Sequence, residues 1–147
     1  MAHLDDVKAL VAGDHGLVTV SVARPDGRVH ASVVNAGVLA HPVEGREVVG
    51  LVVRGSTLKL RLVRAAGRAN VVFRVGWRWA GVEGPVDIAG PDDMLEGFDP
   101  GDLAGLLRDV FAAAGGTHED WDTYDRIMAE ERRTALLVVP EHITGNP

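Results

Sequence analysis

A Gly55-Ser56-Thr57-Leu58-Lys59 run stands where a β-branched stretch gives way to a helical pattern. The amides of a helix's first turn have no intrahelical partner, and the helix dipole is positive there. A lysine in that turn is electrostatically misplaced unless an anion sits nearby. The hydroxyls of Ser56 and Thr57 beside free amides, with Lys59 reaching in, would make a phosphate pocket. A serine-capped surface helix with a solvated lysine is the competing reading. The run is not a Walker loop, because the spacer between two glycines is missing. Arg61, Arg64 and Arg68 follow at intervals of three and four residues, so they share a helix face if the helix persists that far. No acid at helical spacing balances them. A row of guanidinium groups suits a ligand with several carboxylates, and a solvated face is the alternative.

These residues lie in a 48–82 segment that contains no Asp or Glu. Including Arg54, Arg74 and Arg78, it holds seven of the 15 basic residues in a chain whose 21 acids bring it to net −6. Such segregation makes a local positive field in an anionic surface, which suits a small anionic ligand. A nucleic acid would be repelled by the rest of the molecule. Arginines outnumber lysines 13 to 2, as a general compositional bias would give, so their abundance alone says nothing about phosphate. Their position says more, since such a bias does not expel carboxylates from one segment.

Trp77 and Trp79 alternate, so on a strand they point to one side. They could stack on a flat heterocycle, lie in a subunit interface, or pack in a core. Trp121 and Tyr124 at helical spacing read as core anchors. None of the six histidines forms a ligand pair at metal-binding spacing. With no cysteine, disulfides, thiolate metal sites and a cysteine nucleophile are excluded. No Gly-x-Ser-x-Gly elbow or carboxylate pair suggests hydrolysis, and no residue is assigned a catalytic role. An enzyme built this way implies a cofactor that does the chemistry.

The elements that must position these residues follow from periodicity. A helix is expected over 4–12, then strands over 17–23 and 29–39 joined by the Arg24-Pro25-Asp26-Gly27-Arg28 turn. A strand over 47–53 leads into a helix from Gly55 to about Ala66, with Gly67 free to take a left-handed cap. Strands are expected over 68–75 and 78–88, an acidic surface loop over 89–102, and helices over 102–114 and 118–131. Thr117 is placed to cap the second of these. A last strand over 134–139 ends at Pro140. Many short strands with few helices point to a Greek-key barrel with helices outside. The 147 residues are one domain's worth of chain. No apolar run reaches the roughly 18–20 residues of a membrane helix. The acidic N-terminus does not read as a secretory signal. Together these points lead us to expect a cytoplasmic protein.

Taken in order, several pieces of the chain resemble the pyridoxamine 5'-phosphate oxidase-like (PNPOx-like) split-barrel family, in particular its actinobacterial branch using the deazaflavin coenzyme F420. They are Gly27-Arg28 through Ser32 to Asn35, and Thr57-x-Lys59-x-Arg61 with Arg64 and Arg68. To these are added Gly76-Trp77-x-Trp79-Ala80 leading to Glu83-Gly84, and His118 to Tyr124 followed by Arg132-Arg133 and Pro140-x-His142-x-x-Gly145. The resemblance implies a mainly β fold with flanking helices, a six-stranded FMN-binding split barrel forming a homodimer with cofactor sites between subunits. Carried over by position, Ser32, Val33, Val34 and Asn35 would border the cofactor ring, with Val53 and Arg54 beside it. Ser56, Thr57 and Lys59 would hold the phosphate with Arg61 close by; from their own spacing Arg61, Arg64 and Arg68 are a candidate landing for a polyanionic tail. Trp77 and Trp79 would face the ring or the partner subunit. Val33 stands where the family often has Asn, and Ala36 where an aromatic is frequent, which bears on the substrate.

The implied activity is F420-dependent hydride transfer to a small organic acceptor such as an enone, quinone or tetrapyrrole-like compound. F420 carries a phosphodiester and a tail of glutamates, whereas FMN ends in one phosphate, so the acid-free arginine strip favours F420. An oxidoreductase using FMN or FAD is the alternative within the fold. A non-catalytic carrier of flavin, deazaflavin or haem is the alternative outside enzymes.

Overall fold

The computed structural model describes residues 2–147. Val18, Val20 and Val22 alternate with polar or small residues in β1 (Leu17–Ala23), and all three are buried. This period of two gives a strand with one face in the core. Arg24 and Arg28 close the turn to β2 (Val29–Ala40), where Gly27 takes a positive φ of 88°. β4 (Arg68–Val75) follows the same alternation, whereas β3 (Glu47–Val53), β5 (Arg78–Ala89) and β6 (Thr134–Val138) are buried on both faces over much of their length. Antiparallel pairing runs β4-β1-β2-β3-β6-β5, and β5 returns to β4. The six expected strands therefore close into a barrel, which leaves none of the six to end a sheet.

A seventh strand, β7 (His142–Asn146), was not expected. It continues the line of β6 along β5, pairing Glu83↔His142 through Trp79↔Asn146. The interruption at 139–141 is held by Val139 and Glu141 amides donating to Pro85 and Glu83 carbonyls at 2.8 and 2.9 Å. Gly84 permits this crossing, because a Cβ there would lie 1.8 Å from the Val139 carbonyl oxygen. Pro140 thus ends a ladder only to let a second one start.

α1 (Leu4–Gly13) and α2 (Leu58–Ala66) send Val7, Leu10, Leu60 and Val63 into the same core as the inward strand residues. α3 (Leu103–Ala113) and α4 (Trp121–Glu130) build a second core around Ala89, Leu106, Leu107, Val110, Tyr124 and Ala135. α3 ends against Gly37, where a Cβ would meet Ala113 backbone at 2.2 Å. α4 begins at Trp121, later than expected: Asp120, not Thr117, is the cap and accepts from the Thr123 amide at 3.1 Å. Among the described residues no helix is long and apolar enough to cross a membrane.

Candidate functional site

α2 starts at Leu58, three residues beyond the expected Gly55. Its cap is Thr57, whose Oγ1 accepts from the Leu60 amide at 3.3 Å and donates to the Arg54 carbonyl at 3.0 Å. The Thr57 hydroxyl is therefore engaged in the fold, while Ser56 is exposed. The first turn contains no acid. Lys59 is only 8% exposed, and burial pushes its ammonium below the ordinary lysine value. A cation kept from water, next to unpaired amides at the positive end of a helix, is a fit for an anionic group such as a phosphate.

The arginines of the acid-free segment divide. Arg54 pairs with Glu131 at 2.7 Å, Arg64 makes a two-pronged pair with Asp93 at 2.5 and 2.9 Å, and Arg68 reaches Glu141 at 2.8 Å. Lys59 and Arg61 form no ion pair among the described residues. Arg68 also leaves the expected row: Gly67 caps α2 in the left-handed region (φ 71°), so Arg68 starts β4 instead of continuing the helix face. The local absence of acids in the sequence is offset by acids from the 90–100 loop, the end of α4 and the segment before β7.

Along β2 the four ring-bordering positions split by face. Thr19↔Val33 and Leu17↔Asn35 pair on the outer face, and Val20↔Ser32 and Val18↔Val34 on the inner one. The Ser32 hydroxyl is buried without a partner. The Asn35 amide donates to the His15 carbonyl at 2.8 Å. Val34, Asn35 and Val52 meet at one cavity under α3 and α4, a grouping whose helical side the sequence reading missed. Val53, next to Val52, is buried at the end of β3, where Arg54 turns outward.

Trp77 is not on a strand. With Gly76 (φ 61°) it forms the two-residue turn of the β4–β5 hairpin, and it is 94% exposed. Trp79 lies on the outer face opposite Arg74 and Asn146, 39% exposed. Three strand steps separate it from Asn35, roughly 14 Å at about 4.8 Å per step, so within one subunit the two tryptophans do not join the β2 residues. The outer face between them carries the uncharged register Val33, Thr19, Val72 and Gly81, with Val33 69% exposed.

Among the described residues one cluster brings potential metal-ligand atoms together: His41, Glu44 and Asp87, within 4.8 Å. Both ring nitrogens of His41 are already used. Nδ1 accepts from the Val43 and Glu44 amides at 3.1 Å, which leaves Nε2–H to donate to Asp87 at 2.9 Å. Its role here is to hold the turn between β2 and β3.

No protein-family model matches the chain, and no curated protein matches it in sequence. In three dimensions it is similar to a conserved hypothetical protein from Mycobacterium tuberculosis, with 14% identity, a TM-score of 0.67, and coverage of 99% of this chain and 84% of the other. It is similar to an F420 reductase at 15% identity and a TM-score of 0.61, covering 93% of this chain and 94% of that one. A pyridoxamine 5'-phosphate oxidase-related, FMN binding protein from Nostoc punctiforme matches at 12% identity and a TM-score of 0.62, with 95% and 78% covered. The fold of this chain, a closed six-stranded barrel with one added strand and flanking helices, is that of the PNPOx-like split-barrel proteins.

Proposed function

We propose that the protein is an F420-dependent reductase acting on a small organic acceptor, an enone, quinone or tetrapyrrole-like compound. The observation that carries this reading is Lys59, buried and without a carboxylate in the acid-free first turn of α2. The Lys59 ammonium, the free α2 amides and Ser56 would hold the cofactor's phosphate, with Thr57 fixing the turn and Arg61 adding charge. Ser32, Val33, Val34, Asn35, Val53 and Arg54 would border its ring. When bound, the deazaflavin supplies hydride transfer, and the protein contributes binding, orientation and exclusion of water.

Trp77 and Trp79 would reach the ring from a second subunit. On the outer face the uncharged row Val33, Thr19, Val72 and Gly81, with Val33 exposed and Trp79 beside it, supports a homodimer, since exposed apolar side chains on a sheet face mark an interaction surface. The pairing of Arg64 with Asp93 favours a second reading, an FMN-dependent enzyme: a glutamate tail would have to displace Asp93, whereas one phosphate needs only Lys59 and its neighbours.

The test is oxidation of reduced F420, followed optically, with a panel of enone and quinone acceptors. Acceptor-dependent turnover supports a reductase. Saturable binding without turnover across the panel would make the protein a carrier.

A further inference from the structure

Between β2–β3 and α3–α4 lies a cavity of about 220 Å³. Val52, Val110, Phe111 and Met128 make its walls apolar, and Tyr124 contributes its ring. The Tyr124 hydroxyl already donates to the Leu107 carbonyl at 3.2 Å. Arg133 is the one charged residue lining the space.

The protein itself holds Arg133 poorly. Its side chain is 22% exposed, and its nearest carboxylate, Glu131, stands 3.4 Å away while being bound by Arg54 at 2.7 Å. Its Nε is buried with no acceptor. A guanidinium withdrawn from water and left under-paired is costly, and a carboxylate can receive two of its N–H groups in parallel. A cavity of roughly 150 Å³ takes one benzene ring, so this one takes a ring with a short acid-bearing arm. An apolar wall with one cation at its edge selects hydrocarbon shape and a single negative charge.

We propose that this cavity binds a compact, single-ring monocarboxylate, with its carboxylate on Arg133 and its hydrocarbon between Val52, Phe111 and Met128. The inference rests on the cofactor reading in one respect: Val34 and Asn35 border both the cavity and the proposed ring position, so the acid would lie beside the cofactor.

The experiment is a calorimetric titration of the cofactor-free protein with cinnamate and with cinnamamide, which share shape but not charge. Wild type is expected to bind cinnamate at least tenfold more tightly, and R133Q to lose that preference while keeping its affinity for the amide. Equal affinities in wild type, no saturation by either compound, or a preference surviving in R133Q overturns the proposal. A readout on wild type avoids dependence on the folding of R133Q: the Arg133 Nε–Hε NMR signal should move with cinnamate and stay with cinnamamide. Movement with both or with neither counts against it. Since no cofactor is present, failure of F420 binding leaves this result standing, and loss of acid preference leaves the cofactor reading standing.

Discussion

The two ends of α2 hold cations in opposite circumstances. In the first turn Lys59 is buried and has no carboxylate partner. In the last turn Arg64 is gripped through two hydrogen bonds by Asp93, from a loop 29 residues further along the chain. The sequence places both in one acid-free strip, yet folding returns an acid to one and not to the other. An empty neighbourhood in sequence is thus no guide to an empty neighbourhood in space. The cation that stays alone after folding is the stronger sign of an anionic ligand.

Replacing each cation separates the two ends most widely. Lys59→Ala is expected to weaken cofactor binding by about 1.5–3 kcal/mol, the range of a charge-assisted contact, or roughly ten- to a hundredfold. Arg64→Ala should change it less than about threefold, because the guanidinium is spent on a partly exposed pair of about 0.2–1 kcal/mol. Equal losses in the two variants, measured by fluorescence titration, would erase the distinction.

Asp93→Asn converts the paired end into an unpaired one. Anionic cofactor affinity should rise a few-fold at low salt, and the gain should fade near 1 M salt, where the screening length is about 3 Å. Denaturant unfolding should show a cost of no more than about 1 kcal/mol for the lost pair. An unchanged affinity would mean that Arg64 lies too far from the ligand to meet a tail.

The smallest effect is spectroscopic. The chain has two lysines, Lys8 and Lys59, so their side-chain NMR titrations can be told apart. A hydrogen bond to Glu47 raises the Lys8 value and burial lowers that of Lys59. Lys8 therefore contributes stability that is present below the ordinary lysine value and lost as pH rises through its folded value. Lys59 works the other way: between its lowered folded value and the ordinary one the unfolded chain binds more protons, so stability rises with pH there. Binding an anionic cofactor should move Lys59 upward and leave Lys8 in place. A stationary Lys59 would place the anion elsewhere.

Much of the frame was legible in the sequence. Period-two alternation marked β1, turn residues such as Pro25 and Gly27 bounded its neighbour, and Gly67 marked the end of α2 through the left-handed cap it adopts. β7 was hidden because His142-Ile143-Thr144-Gly145-Asn146 carries one large apolar residue and follows a proline, and only β5 beside it makes it a strand. The face-splitting of 32–35 follows from strand alternation, but the position of α3 and α4 over Asn35 and Val52 depends on tertiary packing. Arg133 gave no local signal, since its importance lies in what fails to surround it. The turn at Gly76 between the two strands was legible, but the alternation of Trp77 with Trp79 suggests a shared face only if both lie on a strand, and Trp77 lies in that turn.

We propose that the unpaired cation at α2 and the β2 residues 32–35 serve one deazaflavin site. Fluorescence titration of the purified protein with F420 and with FMN, side by side, tests it most directly. Saturable F420 binding at micromolar concentration with little binding of FMN is the predicted result. Tighter binding of FMN, or saturation by neither, would contradict it.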